Sequence, residues 1–220
     1  MSLPDVYLIG APKAGSTSLA RWLGEHPDVF VSTPKEPAYW ASDFPEMRRH
    51  HGFETRTDYE TLYTGPGAAT ARRLVDASTV YLYSETAAKD IMAAAPHALF
   101  IVALRDPVDL VVSYHRSQLV VLSEDEPDFA VAWSRSLRGE LPSTGRLLDS
   151  KLVDYQMIGR LGAAVERLLA AVPRERVHFV RFAELTDHPH RVWSSLTDFL
   201  GVTSPFVPGF SGRPRRCGRP

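Results

Sequence analysis

Lys13 lies inside a glycine-bounded loop, Gly10-Ala11-Pro12-Lys13-Ala14-Gly15-Ser16-Thr17-Ser18, set between an apolar run and an amphipathic stretch. A loop leading from a strand into a helix aims backbone N–H groups and the positive end of the helix dipole at an anion. Ala14, Gly15 and Ser16 are therefore candidate amide donors, Thr17 and Ser18 can add hydroxyls, and a phosphate is the fitting ligand. Gly10 and Gly15 match the two glycines of a nucleoside-triphosphate P-loop. Ser16, however, stands where that loop carries its lysine, and the lysine sits inside the loop as Lys13, which counts against an ATPase.

A second anion grip follows the most apolar run of the chain, Leu99 to Leu104. Arg105 comes directly after it and is held at the edge of the sheet; Asp106-Pro107 then supplies an N-cap and a proline at the first helical position. Ser113 lies seven residues beyond Asp106, close to two helical turns, on the face that begins at the cap. A forked guanidinium with a permanent charge and a hydroxyl donor together suit a phosphate monoester.

The elements that must position these groups alternate between strand and helix. Val6 to Ile9 reads as a strand, with a helix through Leu19, Trp22 and Leu23, and Val29 to Val31 reads as a brief extended segment. Residues 41 to 74 predict loops and short helices. Val80 to Tyr83 predicts a short strand, Glu85 to Ala95 a helix, Leu99 to Leu104 a buried strand and Val108 to Val121 a helix. A short helix is expected around Phe129 to Leu137, a single long one over Tyr155 to Val172, a strand over Val177 to Phe182 and a last helix over Val192 to Leu200, closed by Gly201. The fold class is thus α/β: a P-loop-type, mainly parallel sheet with helices on both faces in three layers, binding ligands at the carboxyl ends of the strands. One domain is expected over residues 1–202, followed by an irregular Pro/Gly/Arg-rich tail over 203–220.

The bulk properties exclude several classes. The 220 residues hold 25 basic and 26 acidic side chains, so the balance advertises neither a nucleic-acid surface nor a membrane surface. No apolar run of membrane-spanning length and no signal-peptide pattern occurs. The lone cysteine, Cys217, fits a reducing compartment, so a cytoplasmic location is expected. The histidine pairs His50-His51 and His188/His190 lack further metal ligands and read as solvated, and no metal is expected. Trp22, Trp40, Trp133 and Trp193 read as core or cleft wall.

The paired motifs resemble those of sulfotransferases that use 3′-phosphoadenylyl sulfate (PAPS), closer to the heparan-type and bacterial carbohydrate-type members than to the aryl and steroid type. Ala11 to Thr17 looks like the family's 5′-phosphosulfate loop and Arg105-Asp106-Pro107 through Ser113 like its 3′-phosphate loop. Lys35-Glu36-Pro37-Ala38-Tyr39-Trp40 is similar to the stretch that places the catalytic glutamate. The resemblance covers roughly residues 5 to 202. It implies PAPS as co-substrate, Lys13 neutralising the bridging oxygen as the bond breaks, and Glu36 as general base toward a hydroxyl or amine. His115 is a secondary base candidate. The acceptor can be a glycan or a small molecule. Two departures stand out: Ala77 replaces a second functional lysine of some heparan-type enzymes, and the family's closing C-terminal segment is replaced by Gly212-Arg213-Pro214-Arg215-Arg216. A P-loop kinase and a non-catalytic nucleotide-binding protein are the competing readings.

Overall fold

A computed structural model describes residues 3–144, 146–202 and 207–209. Along the chain run β1 (Val6–Gly10), α1 (Ser16–Gly24), β2 (Val29–Val31), α2 (Pro45–His51), α3 (Arg56–Thr61), α4 (Pro66–Thr70), β3 (Arg73–Asp76), α5 (Ala87–Ala94), β4 (Leu99–Leu104) and α6 (Pro107–Val120). Then follow α7 (Phe129–Leu137), α8 (Tyr155–Gly159), α9 (Leu161–Ala171), β5 (Val177–Arg181), α10 (Phe182–Asp187) and α11 (Pro189–Leu200). Five parallel strands form one sheet in the order β2-β3-β1-β4-β5. Its centre is apolar on both sides: Val6 to Ile9 and Phe100 to Ala103 are all fully buried.

Right-handed crossovers decide which face each helix covers. The chain leaves β1 toward one edge of the sheet and leaves β4 toward the other, so α1 lies on one face while α5, α6 and α9 lie on the opposite one. α11 returns to the face of α1, where Trp193 packs against His26 with ring centroids 5.9 Å apart. The change of direction between β1 and β4 opens a crevice at their carboxyl ends, the place where such sheets bind ligands. Gly10 ends β1 there and Arg105 follows the end of β4.

Gly10 is required by that close approach. Its φ is 151°, and an added Cβ would lie 2.5 Å from the backbone nitrogen of Ala103. Gly10→Ala should therefore lower stability by about 2–4 kcal/mol in urea denaturation.

Two sequence expectations are corrected. Thr79–Leu82 is a 3-10 turn rather than a strand, and the sheet takes Arg73–Asp76 instead. Val80, Tyr81 and Leu82 are buried all round, so their run carries no periodicity that separates strand from turn. The long helix expected over Tyr155 to Val172 is two helices that break at Arg160 (φ −79°, ψ 53°). At the break Gly159 approaches α6 so closely that a Cβ would sit 3.2 Å from Val111. Among the described residues no helix is long and apolar enough to cross a membrane. Cys217 and the arginines at 213, 215 and 216 lie outside the described residues.

Candidate active site

The loop after β1 is shaped by its backbone before its side chains act. Lys13 and Gly15 both have left-handed φ values, 64° and 90°, and Gly15 caps α1. A Cβ on Gly15 would lie 2.4 Å from the Leu185 side chain, so α10 packs tightly over the loop at a position that glycine leaves open. The result is a polar cleft of about 400 Å³ lined by Lys13, Gly15, Ser16, Thr17 and Ser18 from this loop. Ala14 does not join them: its side chain is fully buried in the core and its N–H donates to the Ala11 carbonyl (3.2 Å).

Arg105 and Ser113 line the same cleft from the other side. Asp106 starts α6 by accepting from the N–H groups of Val108 (3.0 Å) and Asp109 (3.1 Å), which sets Ser113 two turns along. The Arg105 guanidinium lies 4.6 Å from the Phe182 ring centroid and donates from Nη1 to the Lys13 carbonyl (3.1 Å), joining the two candidate anion-binding segments. Its Nε is shielded from solvent and has no protein partner. A forked cation with one buried donor left over, facing a helix N-terminus, fits a phosphate-bearing ligand. His115 is not part of this arrangement. Two residues beyond Ser113 it points away around the helix, buried against Phe129 and Tyr155, with Nε2 2.8 Å from the Glu126 carbonyl oxygen.

Glu36 occupies the junction of this cleft with a second cavity. Its φ is 66°, another non-glycine residue in the left-handed region. Such conformations persist only where surrounding contacts hold them. Here the Glu36 N–H donates to the Ala77 carbonyl (3.1 Å), Oε2 accepts from the N–H (2.8 Å) and hydroxyl (3.0 Å) of Thr79, and Oε1 pairs with the Lys35 ammonium. Ala77 is thus fully buried behind the site, its carbonyl bracing the loop. Lys35 and Thr79 also line the polar cleft; Lys35 belongs to the quoted glutamate stretch without a role assigned to it there, and Thr79 carries no local motif that would have singled it out.

A buried carboxylate braces the loop that carries Glu36. Asp76 accepts from Tyr59 (2.6 Å), Tyr81 (2.8 Å) and Ser78 (2.7 Å). The Ser78 hydroxyl accepts from Ala38 N–H (3.1 Å), and the Tyr81 hydroxyl from Trp40 N–H (3.3 Å). Tyr39 and Trp40 consequently pack onto Tyr59, with centroids 4.4 and 5.9 Å away. Burial pushes the Asp76 carboxyl up to about 6, against the three hydrogen bonds that favour its charged form. A carboxyl raised by folding contributes stability below its unfolded value near 3.9, and that contribution is lost as pH rises through about 6. Between pH 4 and 7 the wild type should lose on the order of 3 kcal/mol relative to Asp76→Asn, read by urea denaturation of both proteins.

The second cavity has a volume of about 750 Å³ and shares Pro12, Glu36 and Thr79 with the polar cleft. α6 serves both: Ser113 faces the cleft, while Tyr114, Ser117 and Gln118, with Val121 just past the helix end, line the cavity at helical spacing. His51 lines it too and is only partly exposed, where the sequence had suggested a solvated residue. Burial lowers its imidazole, with His50 adding to the effect and Glu36 opposing it. Among the described residues no group of three or more His, Cys, Asp or Glu is arranged to hold a metal ion.

Mouse bifunctional heparan sulfate N-deacetylase/N-sulfotransferase 4 is 28% identical over 206 residues, spanning 91% of this chain and 22% of that protein. The chain therefore corresponds to about a fifth of the length of such curated relatives. The crystal structure of a sulfotransferase from Alicyclobacillus acidocaldarius superposes with a TM-score of 0.84 at 26% identity, covering 96% of this chain and 86% of the other. A mouse sulfotransferase complexed with PAP shares the fold, with a TM-score of 0.58 at 14% identity over 94% of this chain and 61% of that one. The sulfotransferase domain model matches residues 3–208, a span that includes the whole sheet and both loops lining the polar cleft, and the chain belongs to the sulfotransferase family.

Proposed function

We propose that this protein moves the sulfuryl group of PAPS to a hydroxyl or amine of a glycan or small-molecule acceptor. The observation that carries the reading is the position of Glu36 on the boundary of two adjoining spaces, one polar with cations and helix amides, the other open to an acceptor. Bound PAPS supplies an electrophilic sulfur and a phosphate leaving group. Arg105 and Ser113 grip its 3′-phosphate, and Lys13 with the segment from Gly15 to Ser18 grips the 5′-phosphosulfate.

In the transfer step the acceptor oxygen or nitrogen forms a bond to sulfur in line with the breaking bond to the bridging phosphate oxygen. Glu36 takes the acceptor proton, and the bridging oxygen leaves with the electron pair on adenosine 3′,5′-bisphosphate (PAP). The Lys13 ammonium and the first-turn amides of α1 meet the charge that develops there. Thr79 and Lys35 hold the Glu36 carboxylate still, so little is spent on orienting it.

The kinase alternative meets a physical obstacle at Ser16. That residue occupies the P-loop lysine position, and it is buried at the first turn of α1. A thermal-shift titration tests the assignment: PAP should stabilise the protein by about 2.7 kcal/mol at a hundred times its Kd. ATP with magnesium should do less at equal concentration. Preference for ATP would overturn the reading.

A further inference from the structure

We infer that the acceptor is a small, uncharged alcohol or phenol with an apolar body, seated in the 750 Å³ cavity with its hydroxyl at Glu36. The inference rests on the sulfuryl-transfer reading and narrows its acceptor to one chemical class.

The cavity walls lead to this conclusion. Phe44, Met47, Val80, Leu152, Met157 and Ile158 present hydrocarbon and thioether surface, contributed by α2 and the residue before it, the 3-10 turns Thr79–Leu82 and Ser150–Val153, and α8. Methionines make such a wall adaptable, because an unbranched thioether fills irregular gaps. Tyr83 and Tyr114 add ring faces. Burial raises both phenols far above their ordinary range, with Glu36 adding to the effect at Tyr114, so they remain neutral. The Tyr83 hydroxyl is already used, donating to the Ile158 carbonyl (3.2 Å).

Charge complementarity argues against a polyanionic sugar chain. Such a ligand needs several fixed cations with forked or multiple donors along its path. Among the described residues lining this cavity, Arg146 is the one lysine or arginine, and it is exposed. Two nearby arginines are engaged elsewhere: Arg48 lies over Tyr39, and Arg56 lies over Trp40 and pairs with Glu60. The volume fits a drug-sized molecule held in a concave, mostly apolar site with a few polar groups fixing its orientation. Val121, more than half exposed, marks the mouth, and Glu36 marks the inner end shared with the phosphate cleft. An elongated apolar body entering past Val121 would deliver its hydroxyl to the carboxylate.

The test uses the full chain with PAPS and a series of 4-alkylphenols from methyl to octyl, beside an unsulfated glucosamine–glucuronate polymer. Over the first members kcat/KM should rise about fourfold per added methylene, then level off when the cavity is full. The sugar polymer should yield no sulfated product. Calorimetry of the same phenols into the protein–PAP complex should show the same rise in affinity, independent of turnover. Flat dependence on chain length, sulfation of the polymer, or transfer to neither acceptor by a protein that binds PAP would overturn the acceptor class alone. If PAP fails to stabilise the protein, the sulfuryl-transfer reading falls and this inference falls with it.

Discussion

Glu36→Gln is expected to lower sulfuryl-transfer turnover by about 10²- to 10⁴-fold while leaving PAP binding, measured by calorimetry, unchanged. The substitution is nearly isosteric. The glutamine carbonyl oxygen can still accept from Thr79 N–H, and the left-handed backbone is as strained for glutamine as for glutamate, so the loop geometry is retained. What disappears is the proposed proton acceptor for the step that forms the bond to sulfur. A merely structural Glu36 would instead lose stability and nucleotide affinity together, because the loop from Lys35 to Trp40 would loosen from Asp76. Unchanged turnover would remove Glu36 from the mechanism.

Lys13→Met should reduce kcat by about 10²- to 10³-fold, with a smaller effect on the KM for PAPS. Lys13 is solvent-exposed at the tip of its loop, and its carbonyl, rather than its ammonium, is what Arg105 holds. Removing the charge therefore leaves the loop braced and the backbone amides of α1 in place. The loss falls on the step in which negative charge accumulates on the bridging oxygen. A loss confined to KM, with kcat intact, would make Lys13 a ground-state phosphate ligand and shift leaving-group stabilisation to the amides of the loop.

These two expectations depend on different kinds of information. The Lys13 loop and the Arg105 to Ser113 segment are contiguous, and their signals are short-range: glycines where the backbone must turn tightly, a cap and proline at the start of α6, and hydroxyls at fixed helical spacing. Such features act within a few residues, so they are legible without knowing the fold. The central strands β1 and β4 and the helix Phe129–Leu137 were readable for the same reason, since burial and capping mark them locally.

The surroundings of Glu36 were settled by tertiary structure. Thr79 reaches the carboxylate from 43 residues away, and Ser78 reaches Ala38 from 40 away. Both contacts exist because β2 and β3 are neighbours in the sheet and deliver their following loops to the same edge. Arg73–Asp76 escaped notice as a strand because two apolar residues between charges form no pattern until the sheet buries them. His115 looked close to Ser113 in sequence, but two residues along a helix turn a side chain roughly 200° away. The apolar cavity draws its walls from α2, the 3-10 turns, α6 and α8, segments with no motif in common. Local sequence thus determined which two loops form the polar cleft's cationic and hydroxyl lining, whereas the packing of distant segments decided where the carboxylate stands and which walls lie beside it, because only parallel strand pairing and helix docking bring those residues within reach.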